Sequence, residues 1–151
     1  MDYSHYNKAG EQEDKFLLQL KDKYKSIKTL EFTTGNVVYD AIINNNTLVE
    51  IKIRTVNDYV FQMVENEGVL LQQDKQKYII NRANQMDIKN VIYISYFKNQ
   101  SVFDIHYILK GDTEYTNYTE TIKYCNKQTY SSGSNKIKKE LLLFKPNFIK
   151  I

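Results

Sequence analysis

The chain is poor in the residues that several functions require. It has a single cysteine, Cys125, in 151 residues. That rules out an intrachain disulfide and a zinc site built from cysteines, and Cys125 reads as an incidental or buried thiol. One proline and five glycines leave no stretch with the composition of a linker, and no internal repeat is visible. The two histidines, His5 and His106, have no sequence neighbour that suggests catalysis. No window approaches the ~20 apolar residues of a membrane span. The start, Met1-Asp2-Tyr3-Ser4-His5, lacks the apolar stretch of a signal peptide. The expectation is a cytoplasmic protein without a membrane partner.

What is present is ordinary for a globular domain: 42% apolar residues, 26% charged and a formal net charge of +3. The length suits one domain spanning 1–151. The charge permits a polyanionic partner without demanding one. Abundant Lys, Asn, Ile and Tyr fit AT-rich coding DNA, as in a phage or low-GC bacterium; for a phage protein the compartment would be the host cytoplasm.

The most informative stretch runs Val37-Val38-Tyr39-Asp40-Ala41-Ile42-Ile43, then Asn44 to Asn46, then Thr47-Leu48-Val49-Glu50-Ile51-Lys52-Ile53-Arg54. Asparagine tolerates the left-handed backbone of a three-residue hairpin loop. A symmetric hairpin places Ile43 across from Thr47 and Asp40 across from Glu50. Cross-strand Cβ atoms ~5 Å apart bring like charges into repulsion, about 3 kcal/mol at an effective dielectric near 20. Such a pair calls for positive charge between its members. Lys52 lies on the same side of the strand as Glu50, because side chains alternate. Two carboxylates and an ammonium on one face suit a divalent cation with a charge-stabilising group beside it.

Elsewhere, Glu13, Phe16, Leu17, Leu20 and Tyr24 recur at helical spacing, predicting a helix from Gly10 to about Lys25. Ile27 to Thr33 alternates as a short strand, and Gly35-Asn36 turns the chain into the hairpin. Val56 to Gly68 reads as irregular and Leu70 to Met86 as a second helix. Val91 to Phe97 is a nearly continuous apolar run, the mark of a strand buried on both faces. Lys98 to Gln100 turns it into a half-buried partner strand through Leu109. The polar span 111–134 reads as a long loop, and 137–148 as a final strand ended by Pro146.

With Asp40 on the second strand and Glu50-Ile51-Lys52 on the third, the chain resembles the PD-(D/E)XK nuclease superfamily. The resemblance covers about residues 9–97, leaving 98–151 as a C-terminal elaboration. Tyr39 stands where the family's proline would be, and that proline is dispensable across the superfamily. The resemblance implies an α/β, restriction-endonuclease-like αβββαβ core: a mixed central sheet flanked by helices, here with an additional C-terminal β segment. It further implies a divalent-metal-dependent nuclease that hydrolyses phosphodiester bonds, DNA in preference to RNA, leaving 5′-phosphates. Mg²⁺ or Mn²⁺ would be held by Asp40, Glu50 and the Ile51 backbone carbonyl. Lys52 would help deprotonate the attacking water and stabilise the phosphoryl charge. Glu13 would face the site from the first helix, and a polar or basic residue of the second helix would reach it. Arg54, Gln73 and Lys75 are the expected nucleic-acid contacts. Paired cuts on duplex DNA would require a homo-oligomer.

Each of these residues also has a plainer role. Asp40, Glu50 and Lys52 could be solvent-facing strand residues joined by a surface ion pair worth under ~1 kcal/mol. Against this, Val38, Ile42 and Leu48 share their face and argue for a covered one. Glu13 could serve only the helix dipole, and Arg54 and Lys75 could be surface charge. At the level of the whole protein the alternatives are a catalytically inactive nuclease fold, binding nucleic acid or serving phage assembly, and a small interaction protein presenting its tyrosine-rich 93–130 region.

Overall fold

The computed structural model describes residues 4–33, 39–114, 118–126 and 136–151. The first helix, α1 (Ser4–Lys23), starts earlier than its apolar stripe predicts and carries Gly10 in its interior. A glycine there costs about 1 kcal/mol against alanine, which weakens a helix without ending it. Phe16, Leu17 and Leu20 form the buried stripe; truncating any one to alanine should cost about 2–5 kcal/mol.

Three strands follow: β1 (Leu30–Phe32), β2 (Ala41–Ile43) and β3 (Thr47–Arg54). The asparagine loop behaves as expected. Asn44 and Asn45 adopt φ of 54° and 57°, the Asn46 N–H donates to the Ile43 carbonyl, and Ile43 pairs with Thr47. The Gly35-Asn36 turn, Val37 and Val38 lie outside the described residues.

The stretch read as irregular is a helix, α2 (Asp58–Glu67), and what was expected as one helix divides into β4 (Val69–Gln72) and α3 (Gln73–Gln85). Asn57 caps α2, its Oδ1 accepting the Val60 N–H. Gly68 ends it at a φ of 117° that side chains avoid. β5 (Asn90–Phe97), buried as predicted, pairs in parallel with β3 and antiparallel with β6 (Val102–Lys110). In the span expected as a loop the structure has β7 (Thr113–Glu114) and β8 (Thr119–Asn126); of its other residues, 115–117 and 127–134 are outside the described ones. β9 (Lys136–Phe144) ends before Pro146, and β10 (Ile149–Lys150) returns to the central sheet.

The molecule is therefore mixed α/β. A central mixed sheet runs in the order β1-β2-β3-β5-β6-β10, with β7 also pairing to β6, and a smaller antiparallel sheet runs β4-β9-β8. α1 covers one face of the central sheet through Ala41, Val49, Ile51, Ile94 and Phe103. The other face, with Leu48, Val91, Tyr93 and Phe97, packs against α2, α3 and the smaller sheet. Side chains alternate along β3, so Glu50 and Lys52 fall on this second face with Leu48. Ile42 and Leu48 are buried there, which makes it the covered face the sequence pointed to. Among the described residues no helix is long and apolar enough to cross a membrane.

Candidate active site

Asp40 sits just before β2, at a point where the hairpin ladder gives way. Its own N–H donates to the Val49 carbonyl at 2.8 Å, and its carbonyl accepts from the Thr33 N–H at 3.2 Å. The Thr33 hydroxyl donates to the carbonyls of both Tyr39 and Asp40. The backbone is thus held from two sides, and the Asp40 side chain takes over a main-chain task. Its Oδ2 accepts the Ile51 N–H at 2.8 Å. The expected face-to-face arrangement with Glu50 is in this way modified: Asp40 reaches past the strand end to β3 rather than standing in the ladder.

Glu50 is buried, and its Oε1 lies 3.4 Å from Lys52 Nζ and 3.6 Å from Lys75 Nζ. The positive charge that two acids in contact demand therefore comes from two lysines, one on β3 and one on the first turn of α3. Glu13 arrives from α1, whose apolar stripe lies on the opposite face of the sheet, and comes near enough to Asp40 and Glu50 for their charges to act on one another.

The electrostatics are strained toward the acids. Burial, then the charges of Glu50 and Glu13, push the Asp40 carboxyl up to about 8, against the opposing Ile51 N–H and Lys52. Glu13 is raised chiefly by burial, with Glu50 adding to it and Lys52 opposing. For Lys52, burial works against the charged form, but Glu50, followed by Lys75, Tyr93 and Asp40, outweighs it and the net shift is upward. Lys75 moves the other way although it also pairs with Glu50. Its burial and the charge of Lys52 dominate, so its ammonium is weakened.

This donor set suits a hard divalent cation. Among the described residues no three Asp, Glu, His or Cys side chains converge as a ready-built metal shell. The fit rests instead on two carboxylates and a main-chain oxygen, and Mg²⁺ tolerates that because it keeps several waters. The Ile51 carbonyl leaves β3 on the same side as its N–H, the side where Asp40 sits. Added positive charge there would offset the burial and the repulsion from Glu50 and Glu13 that raise the Asp40 carboxyl.

The structure brings together Glu13, Asp40, Glu50, Lys52 and Lys75. Of the other two expected contacts, Gln73 begins α3 and is half-buried. Arg54 turns inward: its Nη2 donates to the Leu70 carbonyl at 3.3 Å and to the Tyr93 hydroxyl at 3.0 Å. His106, which seemed partnerless in the sequence, hydrogen-bonds through Nε2 to Asp104. The signal was there, since positions i and i+2 of a strand share a face, but nothing local shows that this face is buried. Comparison of the chain with protein-family models, with curated proteins and with solved structures finds no significant match.

Proposed function

We propose that this chain is a divalent-metal-dependent phosphodiester hydrolase acting on nucleic acid, DNA in preference to RNA, with a restriction-endonuclease-like core of the PD-(D/E)XK type. One observation carries the reading. The carboxyls of Glu13 and Asp40 are both raised by burial and by the charge of Glu50, and two lysines flank Glu50. Clusters in which burial and like charge shift titration this far are typical of functional sites.

Asp40, Glu50 and the Ile51 carbonyl would hold Mg²⁺ or Mn²⁺. Such an ion lowers the pKa of a bound water and polarises a phosphoryl oxygen. Lys52, kept charged by its surroundings, orients the attacking water and stabilises negative charge gathering on the phosphoryl oxygens. Lys75 adds a second positive group on the α3 side. Glu13 adds negative charge beside Asp40 that strengthens the site's demand for a cation.

The test is cleavage of plasmid, linear and branched DNA with Mg²⁺ or Mn²⁺. Wild-type protein should cut, and Asp40→Asn and Lys52→Ala should not. Salt-dependent DNA retention without cleavage under any metal would instead favour a nuclease fold that only binds.

A further inference from the structure

Arg54 was expected to grip a phosphate, yet its guanidinium is engaged within the protein. The Leu70 carbonyl accepts from Arg54 Nη2 at 3.3 Å and from the Tyr93 hydroxyl at 2.8 Å, and Arg54 Nη2 also donates to that hydroxyl at 3.0 Å. Leu70 lies on β4, the edge strand of the smaller sheet. A buried edge carbonyl must find a donor outside its own sheet, and a guanidinium supplies a strong one. β4 then runs without a loop into α3, since Gln72 ends the strand and Gln73 begins the helix. Five residues beyond Leu70, Lys75 reaches back to Glu50. Tyr93 stands beside Glu50 in the sheet register. The contacts thus close a ring: Glu50, Tyr93, Leu70, Lys75 and Glu50 again, with Arg54 clasping its far side.

We infer that Arg54 is a positioning residue, which ties the β4–α3 junction to the central sheet and so sets the Lys75 ammonium against Glu50. The inference rests on the reading of this cluster as a phosphodiesterase site. A single nitrogen, Nη2, spans a hydroxyl on one strand and a carbonyl on another, across the two sheets.

A double-mutant cycle tests it. Arg54→Ala and Lys75→Ala should each lower kcat by about tenfold with KM within about twofold of wild type. The double variant should be no worse than the poorer single, because both changes remove one function. Arg54→Lys, which still presents donors to the hydroxyl and the carbonyl, should retain most of the rate. In oligonucleotide binding the salt slope should be unchanged in Arg54→Ala, whereas loss of a phosphate contact would reduce it by about 0.9. Losses that multiply, or a reduced slope, overturn the inference. A second measurement does not depend on cleavage. The Lys75 side-chain ¹⁵N resonance, assigned through Lys75→Arg, should move in Arg54→Ala and in the volume-conserving Tyr93→Phe, which serves alone if Arg54→Ala does not fold. An unmoved resonance overturns the inference. A wild-type protein that cuts nothing would remove the phosphodiesterase reading, and the resonance would still decide whether Arg54 positions Lys75.

Discussion

Two buried carboxylates, Asp104 and Glu50, lie on the same face of the central sheet, and they and their surroundings are treated in opposite ways. Asp104 is 1% exposed and fully provided for: Oδ1 accepts the Asn147 N–H at 3.0 Å and Oδ2 the His106 ring. The register runs Lys52, Ser95, Asp104 in one row and Glu50, Tyr93, His106 in the next, so the two groups are separated by a single strand. Around Glu50 the provision is loose. Both lysines approach the same oxygen at 3.4 and 3.6 Å, longer than the 2.7–2.9 Å of a tight charge-assisted bond, and Asp40 is crowded into protonation. A carboxylate with matched partners locks strands together. A set of acids with too little matching charge is poised for something else to bind, and that imbalance singles out the Asp40 side of the sheet.

The largest effect should separate the two groups by activity. Asp40→Asn and Lys52→Ala should each reduce metal-dependent cleavage at least about 100-fold, the scale of losing a transition-state charge partner. Asp104→Ala should leave the rate per folded molecule near wild type. Its cost should fall on stability, about 3 kcal/mol by urea unfolding, because the Asn147 N–H and His106 lose their acceptor. A folded Asp104→Ala protein that no longer cuts DNA would erase the distinction.

How far each region could be read from sequence follows from how local its determinants are. The hairpin register needs only three asparagines and strand alternation, so Asp40, Glu50 and Lys52 could be brought together by counting. Glu13 followed from the resemblance, the stripe serving only to prefer it to Glu11. α2 carried its own signals, Asn57 as cap, Gly68 as stop and Val60, Phe61 and Val64 on one helical face, but Tyr59, Phe61 and Met63 alternate and made the stretch read as irregular. β4 was hidden because Val69-Leu70-Leu71 runs straight into α3 and reads as one more helical turn. Which way Arg54 turns depends on where β4 lands, and β4 is placed by pairing with β9, more than sixty residues later. Asp104 is buried, and the half-buried His106 ring packs on Phe144 of β9 in that smaller sheet. Apart from α2, whose signals were local, these misses were consequences of distant pairing, which no local pattern carries.

Next in size should be the pH dependence of stability without metal. Asp40 in the folded protein titrates near 8 against 3.8 for the ordinary group. Between those values the unfolded chain releases a proton that the folded chain keeps, so stability falls as pH rises from about 4 to 8 and levels above that. Glu13, also raised, acts in the same direction. Asp40→Asn should flatten the profile and melt several degrees above wild type at pH 8, since about 1 kcal/mol moves a chain of this size by roughly 2–4 °C. A variant profile as steep as wild type would show that the crowding does not reach Asp40.

Metal should then reverse the same imbalance. At pH 8 a saturating Mg²⁺ or Mn²⁺ concentration should raise the wild-type melting temperature, by up to about 2.7 kcal/mol equivalent at a hundred times Kd. Asp40→Asn should respond less. Equal responses in the two proteins would locate any binding elsewhere.

The smallest effect concerns Ser95, which stands in register between Lys52 and Asp104 and so on the boundary between the two groups. Its side chain is 1% exposed, and its Oγ has no hydrogen-bond partner among the described residues. Burying a hydroxyl without a partner costs about 1–3 kcal/mol by mutational measures. Ser95→Ala should therefore be neutral or stabilising by about 1 kcal/mol in urea unfolding, with cleavage within about twofold of wild type. A loss of stability would mean that the hydroxyl links Lys52 to Asp104. The satisfied carboxylate and the crowded ones would then belong to one polar network, and Asp104 would have to be counted among the groups that hold Lys52 in place.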